Sequence, residues 1–234
     1  MKPLGILVTG VPVPLAQERR GSFVDMIRAA LADGGPRPIV AFQADADDAL
    51  PAAADLGALL ITGSAASVTE RAPWMLRGEA WLAGVVAAGL PVFGLCFGHQ
   101  MLAQALGGRV TANPRGREIG TVTIRRVADD ELLSDSTFDA NMTHVDSVVE
   151  LPPGARRIGE SDLDPNAAIR FGPRVWGVQF HPEFDATTLR AYVRQRADVL
   201  QREGFAPEAL EAAASDAPRS RALLARFVAR FAQG

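Results

Sequence analysis

One stretch limits what this chain can fold into: Pro91-Val92-Phe93-Gly94-Leu95-Cys96-Phe97-Gly98-His99-Gln100. Pro91 to Leu95 is a short apolar run of the kind that forms a buried parallel strand. A helical run from about Phe97 to Leu106 follows at once. The switch from strand to helix takes place at Cys96, the only cysteine in the chain. Gly94 and Gly98 frame it as glycine-x-nucleophile-x-glycine. A turn this tight requires small residues two before and two after the nucleophile. The sulfur is then held at the tip of the turn and at a helix N-terminus, where free N–H groups and the helix dipole favour thiolate over thiol. A lone cysteine is otherwise a small apolar core residue, so the elbow needs a base and an orienting group elsewhere in the chain to become chemistry.

The order of elements points to a doubly wound sheet. Gly5 to Gly10 gives a first strand, stopped by Gly10, Pro12 and Pro14, and Pro12 to Arg20 reads as a polar loop. A helical face begins at Ser22 and ends at Gly34-Gly35-Pro36. Pro38 to Phe42 and Ala58 to Ile61 are further strands, separated by an acidic, alanine-rich stretch from Asp45 to Leu56 that reads as short helix or loop. Small residues fill the loop from Thr62 to Ser67, and Trp74 to Ala88 reads as a helix with Pro73 near its first position. This alternation predicts an α/β, mostly parallel, doubly wound open sheet of flavodoxin-like type. In such sheets the reactive site lies outside the C-terminal ends of the strands. The 62–67 loop and the elbow both fall there.

After Gly107-Gly108 the texture changes. Arg109 to Ala112, Ile119 to Val127 and Ser147 to Leu151 alternate as a small antiparallel flank. Residues 167–171 and 175–180 read as a hairpin. From Ala186 the chain is helical in about three pieces, broken near Gly204 and Pro218. In the last piece Leu223, Leu224, Phe227, Val228 and Phe231 form an apolar stripe that should dock, while Arg219, Arg226 and Arg230 form a solvated face. We expect one domain over 1–234, with a helical C-terminal extension from about 186.

The net charge of −3 offers no electrostatic footprint for nucleic acid or an anionic membrane. One cysteine cannot close an internal disulfide, so a reducing cytoplasm is expected. No signal peptide or membrane span is expected. There is no cysteine–histidine cluster for a metal and no glycine-rich nucleotide loop, so neither metal nor cofactor is expected.

Three histidines are present: His99, His144 and His181. His99 sits just inside the helix after the elbow, and a structural role is expected of it. His181 ends the strongest strand of the second half, in Phe180-His181-Pro182-Glu183-Phe184. Pro182 bars the helical region to His181. Glu183 lies where a carboxylate can fix the imidazole's tautomer. On its own, His-Pro-Glu is an ordinary surface turn. Together with the elbow it completes a nucleophile, a base and an orienter.

The pair Gly94-Leu95-Cys96-Phe97-Gly98-His99-Gln100 and Phe180-His181-Pro182-Glu183-Phe184 resembles the class I (triad-type) glutamine amidotransferase family over about residues 4 to 200. Within that family the chain is similar to stand-alone proteins related to the glutaminase part of GMP synthase, including plant gamma-glutamyl peptidases. The resemblance implies that Cys96 attacks the side-chain amide of glutamine, with His181 as base and Glu183 as orienter. The acyl group is then carried as a thioester until water releases it. It also implies oxyanion donors at the N–H of Phe97 and in the Gly63 loop, and a substrate contact at Gln100. Thr143-His144-Val145-Asp146 matches the stretch that grips the amino acid's α-groups, largely through backbone. A purely structural His144 remains open beside a direct contact. Many relatives carry two adjacent glycines where this chain has Gly63-Ser64, which leaves the exact oxyanion donor open. With no nucleotide-binding loop found, no synthetase is expected within this chain. The expected ligand is glutamine or another gamma-glutamyl molecule, with a synthetase in trans and a second copy of the chain as the macromolecular partners left open. A free-standing hydrolase, a glutaminase subunit and a non-catalytic module make different predictions, and the presence of all three triad residues argues against the last.

Overall fold

The computed structural model describes residues 2–31, 38–46 and 49–231. The expected glycine–proline stop at 34–36 lies outside them, as do Met1, positions 47 and 48 of the acidic stretch, and residues 232–234.

The elements in chain order are β1 (Leu4–Val8), α1 (Pro14–Arg20), α2 (Phe23–Ala30), β2 (Ile39–Gln43), β3 (Ala58–Ile61), α3 (Pro73–Ala87), β4 (Val92–Leu95) and α4 (Phe97–Ala105). They continue with β5 (Arg109–Ala112), β6 (Glu118–Arg126), β7 (Thr137–His144), β8 (Asp146–Glu150), β9 (Arg156–Glu160), β10 (Ala168–Gly172), β11 (Val175–Val178), α5 (Ala186–Gln195), α6 (Ala197–Arg202), α7 (Pro207–Ala213) and α8 (Pro218–Phe231).

The main sheet runs β2-β1-β3-β4-β11-β10-β9-β6-β7, and β5 pairs with β8 beside it. From β2 to β11 neighbouring strands are parallel, and from β11 to β7 they are antiparallel. The sheet as a whole is mixed, and its wholly parallel half has the flavodoxin-like order expected from the sequence, with its switch point between β1 and β3. That point is locked. The Thr9 N–H donates to Thr62 Oγ at 3.0 Å, and Thr9 Oγ bonds the carbonyls of Thr62 and Gly63 at 2.9 and 3.0 Å.

Alternation on the strands builds a core on each face. Leu4, Ile6 and Val8 of β1 pack with Ile27 of α2 and with Leu223, Leu224, Phe227 and Val228 of α8. Leu7 points the other way, into a core shared with Met75 and Leu82 of α3 and Met101 of α4. Each such fully buried side chain contributes about 1.5–3 kcal/mol, so four of them dock α8 firmly. Its arginines add less. Arg226 pairs with Asp135 and Arg230 with Glu131, but these pairs are substantially exposed and worth about 0–1 kcal/mol each. The arginine face is thus partly laced to residues 131–137 rather than only solvated.

Four local expectations are corrected. Residues 14–20 are helix, not loop. Pro14 occupies the first helical position, where its missing N–H costs nothing. β7 and β9 were not expected. In β7 the buried Phe138, Ala140 and Met142 alternate with outward Thr137 and Asp139, a strand pattern masked by Asp and Asn, which disfavour strands. In β9 only Ile158 and Gly159 are buried, too few to signal. The C-terminal helices are four, because the chain also breaks at Arg196, between α5 and α6. Among the described residues no helix is long and apolar enough to cross a membrane.

Candidate active site

Cys96 stands between β4 and α4 with φ 49° and ψ −101°, a conformation rare outside glycine. The flanking glycines permit it. A Cβ on Gly94 would lie 2.5 Å from the carbonyl oxygen of Gly98, and one on Gly98 would lie 2.6 Å from that of Ile61. Both clashes are with backbone, so neither can be relieved by a side chain turning away. The Cys96 N–H donates to Val178 O at 2.8 Å and the Gly98 N–H to Thr62 O at 3.1 Å, which fastens the elbow to the strands on either side.

Strand register explains why the other residues arrive here. Leu95 pairs with Val178 on β11, so the chain leaving β11 runs beside the elbow. Gln179 donates from Nε2 to Cys96 Sγ at 3.5 Å, and two residues later the His181 imidazole lies near enough to the sulfur for each group's charge to act on the other. On the other side Ile61 pairs with Gly94, which brings the 62–67 loop against the site. Gly63 touches the imidazole closely, since a Cβ there would lie 2.8 Å from His181 Cε1.

His181 is held on several sides. Its Nδ1 bonds Glu183 Oε1 at 2.8 Å, which leaves Nε2 for the sulfur. Phe184 stacks on the ring at 4.0 Å. The His181 N–H donates to Asn141 O at 2.8 Å. The Asn141 amide donates to the carbonyls of Phe184 and Ser215 at 3.1 and 3.0 Å, and its oxygen accepts from Thr121 at 2.7 Å. Glu183 is fully buried, and its Oε2 has no protein partner.

The electrostatics favour a thiolate–imidazolium pair. Burial raises the Cys96 thiol, but the charge and hydrogen bond of His181 and the charge of His144 outweigh it and hold the thiol below its ordinary value. Burial likewise disfavours the imidazolium of His181. The charges of Glu183 and Cys96, with hydrogen bonds to both, push it up to about 10.

A cleft of about 360 Å³ opens over Cys96. Its walls include Ser64, Phe97, Gln100, Thr143, His144 and Val145, all expected from the sequence. Gln100 Nε2 is committed to Asp146 O at 2.8 Å and Gln179 Oε1 at 3.1 Å, which leaves its own oxygen as the group open to a ligand. His144 bonds Asp146 O through Nδ1 and Glu118 through Nε2. A carbonyl only accepts, so Nδ1 donates to Asp146 O, and the carboxylate beside Nε2 favours a proton there too. Burial opposes the charged ring, but Glu118, Asp164 and Cys96 outweigh it and raise the value. Val145 is exposed, and its carbonyl accepts from Asn113. Ser64 takes the place of the second glycine without crowding, because Gly10 lies against it. A Cβ on Gly10 would fall 2.9 Å from Ser64 Cα.

His99 is fully buried against Phe171 and Gly177, and burial pushes it down to about 3. It packs there as a neutral ring. Sequence reasoning did not single out Gln179, Asn141, Glu70, Arg117 or Arg196, although the last three line the cleft. Only Gln179, two before the expected base on an apolar strand, carried a readable signal.

Residues 17–198 match the family model described as glutamine amidotransferase class-I. The chain is 38% identical over 137 residues to the GMP synthase [glutamine-hydrolyzing] of Thermomicrobium roseum, covering 58% of this chain and 25% of that protein. It is 31% identical over 144 residues to a glutamine amidotransferase-like protein of Schizosaccharomyces pombe, covering 60% of this chain and 58% of that one. The chain thus spans about a quarter of the length of the GMP synthases it matches. A glutamine amidotransferase of Thermotoga maritima superposes over the whole of both chains with a TM-score of 0.79 at 21% identity, a likeness of fold. One from Methylobacillus flagellatus gives 0.69 at 25% identity over 99% of this chain and 93% of that one. The matched span includes the elbow and the His-Pro-Glu turn, and the chain belongs to the class I glutamine amidotransferase family, a family of enzymes.

Proposed function

We propose that this chain, as one domain, hydrolyses the side-chain amide of glutamine or of another gamma-glutamyl compound and releases ammonia or an amine. Cys96 is the nucleophile, His181 the base and Glu183 its orienter. The thiolate adds to the amide carbon. His181 gives its proton to the departing nitrogen as the C–N bond breaks, leaving a gamma-glutamyl thioester. Water, losing a proton to His181, then adds to the thioester, and the C–S bond breaks to restore the thiolate. The N–H of Phe97, at the first position of α4, and an N–H of the Gly63-Ser64 loop receive the oxyanion. One such donor is typically worth about 2.7–4 kcal/mol in the transition state. Gln100 and the Thr143-His144-Val145 stretch hold the glutamyl group, His144 not through a free ring nitrogen, since both are already bonded to Asp146 and Glu118.

The observation that carries this reading is the single register, Leu95 opposite Val178, that brings a left-handed Cys96 and a Glu183-bonded His181 together. Cys96→Ala and His181→Ala should each abolish amide turnover while circular dichroism stays unchanged. Wild-type rates from Cys96→Ala would refute the assignment.

A second reading, release of ammonia to a synthetase in trans, draws support from the relatives. The chain matches about a quarter of the length of proteins named as glutamine-hydrolysing GMP synthases. It predicts slow turnover alone and acceleration when the partner is added.

A further inference from the structure

Ammonia is about the size of a water molecule, which occupies about 30 Å³ in the liquid. The site offers its leaving group far more room. A second cavity, of about 220 Å³, has His181 in its wall, whereas Cys96 lines the first cleft. The two share Ser64, Ala65, Thr143 and Arg196. The proposed acid that protonates the departing nitrogen therefore faces a separate chamber. Its remaining walls are mostly apolar, with Val11, Pro12, Val13 and Phe23 among them, and Val11 at its edge is well exposed.

Arg196 stands where the two spaces meet. Its guanidinium lies 4.8 Å from the centroid of the Tyr192 ring, and Tyr192 belongs to the second cavity. Nη1 is buried and has no hydrogen-bond partner. Among the described residues no carboxylate pairs with it, although its neighbour in the cleft, Arg117, is taken up by Glu203 at 2.6 Å. An arginine cannot relieve burial by losing its charge, and a buried donor without an acceptor costs about 1–3 kcal/mol, more when charged. Cation–π contact fixes the plane of the group but satisfies none of its N–H bonds. An entering carboxylate would satisfy them, and arginine's fork matches that geometry.

We propose that the second cavity receives the leaving group of the substrate and that Arg196 binds a carboxylate on it, so that the substrate is a gamma-glutamyl dipeptide with an apolar C-terminal residue. This deepens the hydrolase reading above and rests on it. The C–N bond broken is the gamma-glutamyl isopeptide bond. Its electron pair stays on nitrogen, which takes the proton from His181. The free amino acid leaves through the apolar chamber, and water completes the cycle at the thioester.

The test compares gamma-glutamyl-leucine with its C-terminal amide, which keeps the side chain and loses the charge, reading release of leucine or leucinamide. The wild type should favour the acid in kcat/KM by about tenfold or more, the usual worth of a charge-assisted hydrogen bond. Arg196→Gln should bring that ratio near one, and Arg196→Lys should keep part of it. A wild type that treats acid and amide alike, or an Arg196→Gln enzyme that keeps the full preference, would overturn the proposal. Calorimetry on the Cys96→Ala protein frees the test from turnover: the acid should bind more tightly than the amide, and equal binding would overturn it. Failure of the underlying hydrolase reading shows separately, as turnover that survives Cys96→Ala whatever the acid-to-amide ratio.

Discussion

Asn141 accepts the backbone N–H of His181 on its own carbonyl at 2.8 Å, while its side-chain amide reaches past that residue to the carbonyls of Phe184 and Ser215. The turn that carries His181 and Glu183 is therefore clamped from β7, and through Ser215 it is tied to the segment leading into α8. Asn141→Ala would strip Phe184, Ser215 and Thr121 of a buried partner. Each buried polar group left unpaired costs about 1–3 kcal/mol. The variant should lose stability in urea unfolding, and kcat should fall more than KM rises, because the base is displaced and not the binding cleft. A stable variant with normal kcat would show that the clamp is idle.

The elbow makes a stricter demand. Gly98→Ala sets a methyl 2.6 Å from a carbonyl oxygen of the neighbouring strand, so β3 and α4 must part. Overpacking of this kind typically costs about 1–3 kcal/mol, occasionally more. We expect a lower unfolding midpoint and loss of amide turnover. Gly84→Ala, in an open position on α3, is the control and should be neutral or slightly stabilising.

Much of this was legible in the sequence. The parallel half shows because its strands are short apolar runs between glycines and prolines, and the elbow because its glycines are sterically compelled. The three residues of the proposed triad were legible one by one. What brings them into one place is the pairing of β4 with β11, and a pairing across eighty-odd positions leaves no local trace. Asn141 and Arg196 were illegible for a related reason. A buried asparagine and an unpaired arginine are defined by what surrounds them, and nothing in Asn141-Met142 or Gln195-Arg196 tells of it. β7 could have been read from its alternation had Asp139 and Asn141 not argued for a turn.

The charges fix how reactivity depends on pH. A free thiol titrates near about 8.5; burial raises Cys96, but the positive charge on His181, and on His144 when protonated, outweighs it and holds the thiol below its ordinary value. The inflection for modification of Cys96 by iodoacetamide should thus fall on the acid side of about 8.5. His181→Ala removes one cation and must move the inflection upward. Turnover should fall as the pH climbs through about 10, where His181 loses the proton that the proposed mechanism gives to the leaving group. An inflection unmoved by His181→Ala would contradict the pairing.

In the proposed mechanism Glu183 acts only through His181, to which it is bonded at 2.8 Å. Glu183→Gln should therefore be milder than loss of the nucleophile or the base, by about one to two orders of magnitude in kcat. Equal losses at all three positions would mean that the carboxylate does more than orient.

The central claim is that Cys96, activated by His181, attacks the gamma-carbonyl of a glutamyl substrate. Covalent labelling by a diazoketone analogue of glutamine tests it most directly, because labelling needs neither an acceptor nor a partner. With the modified peptide located by mass spectrometry, we predict one adduct, on Cys96, protected by glutamine and slowed at least about a hundredfold in His181→Ala. No adduct on Cys96, or one formed as fast without His181, would contradict the account.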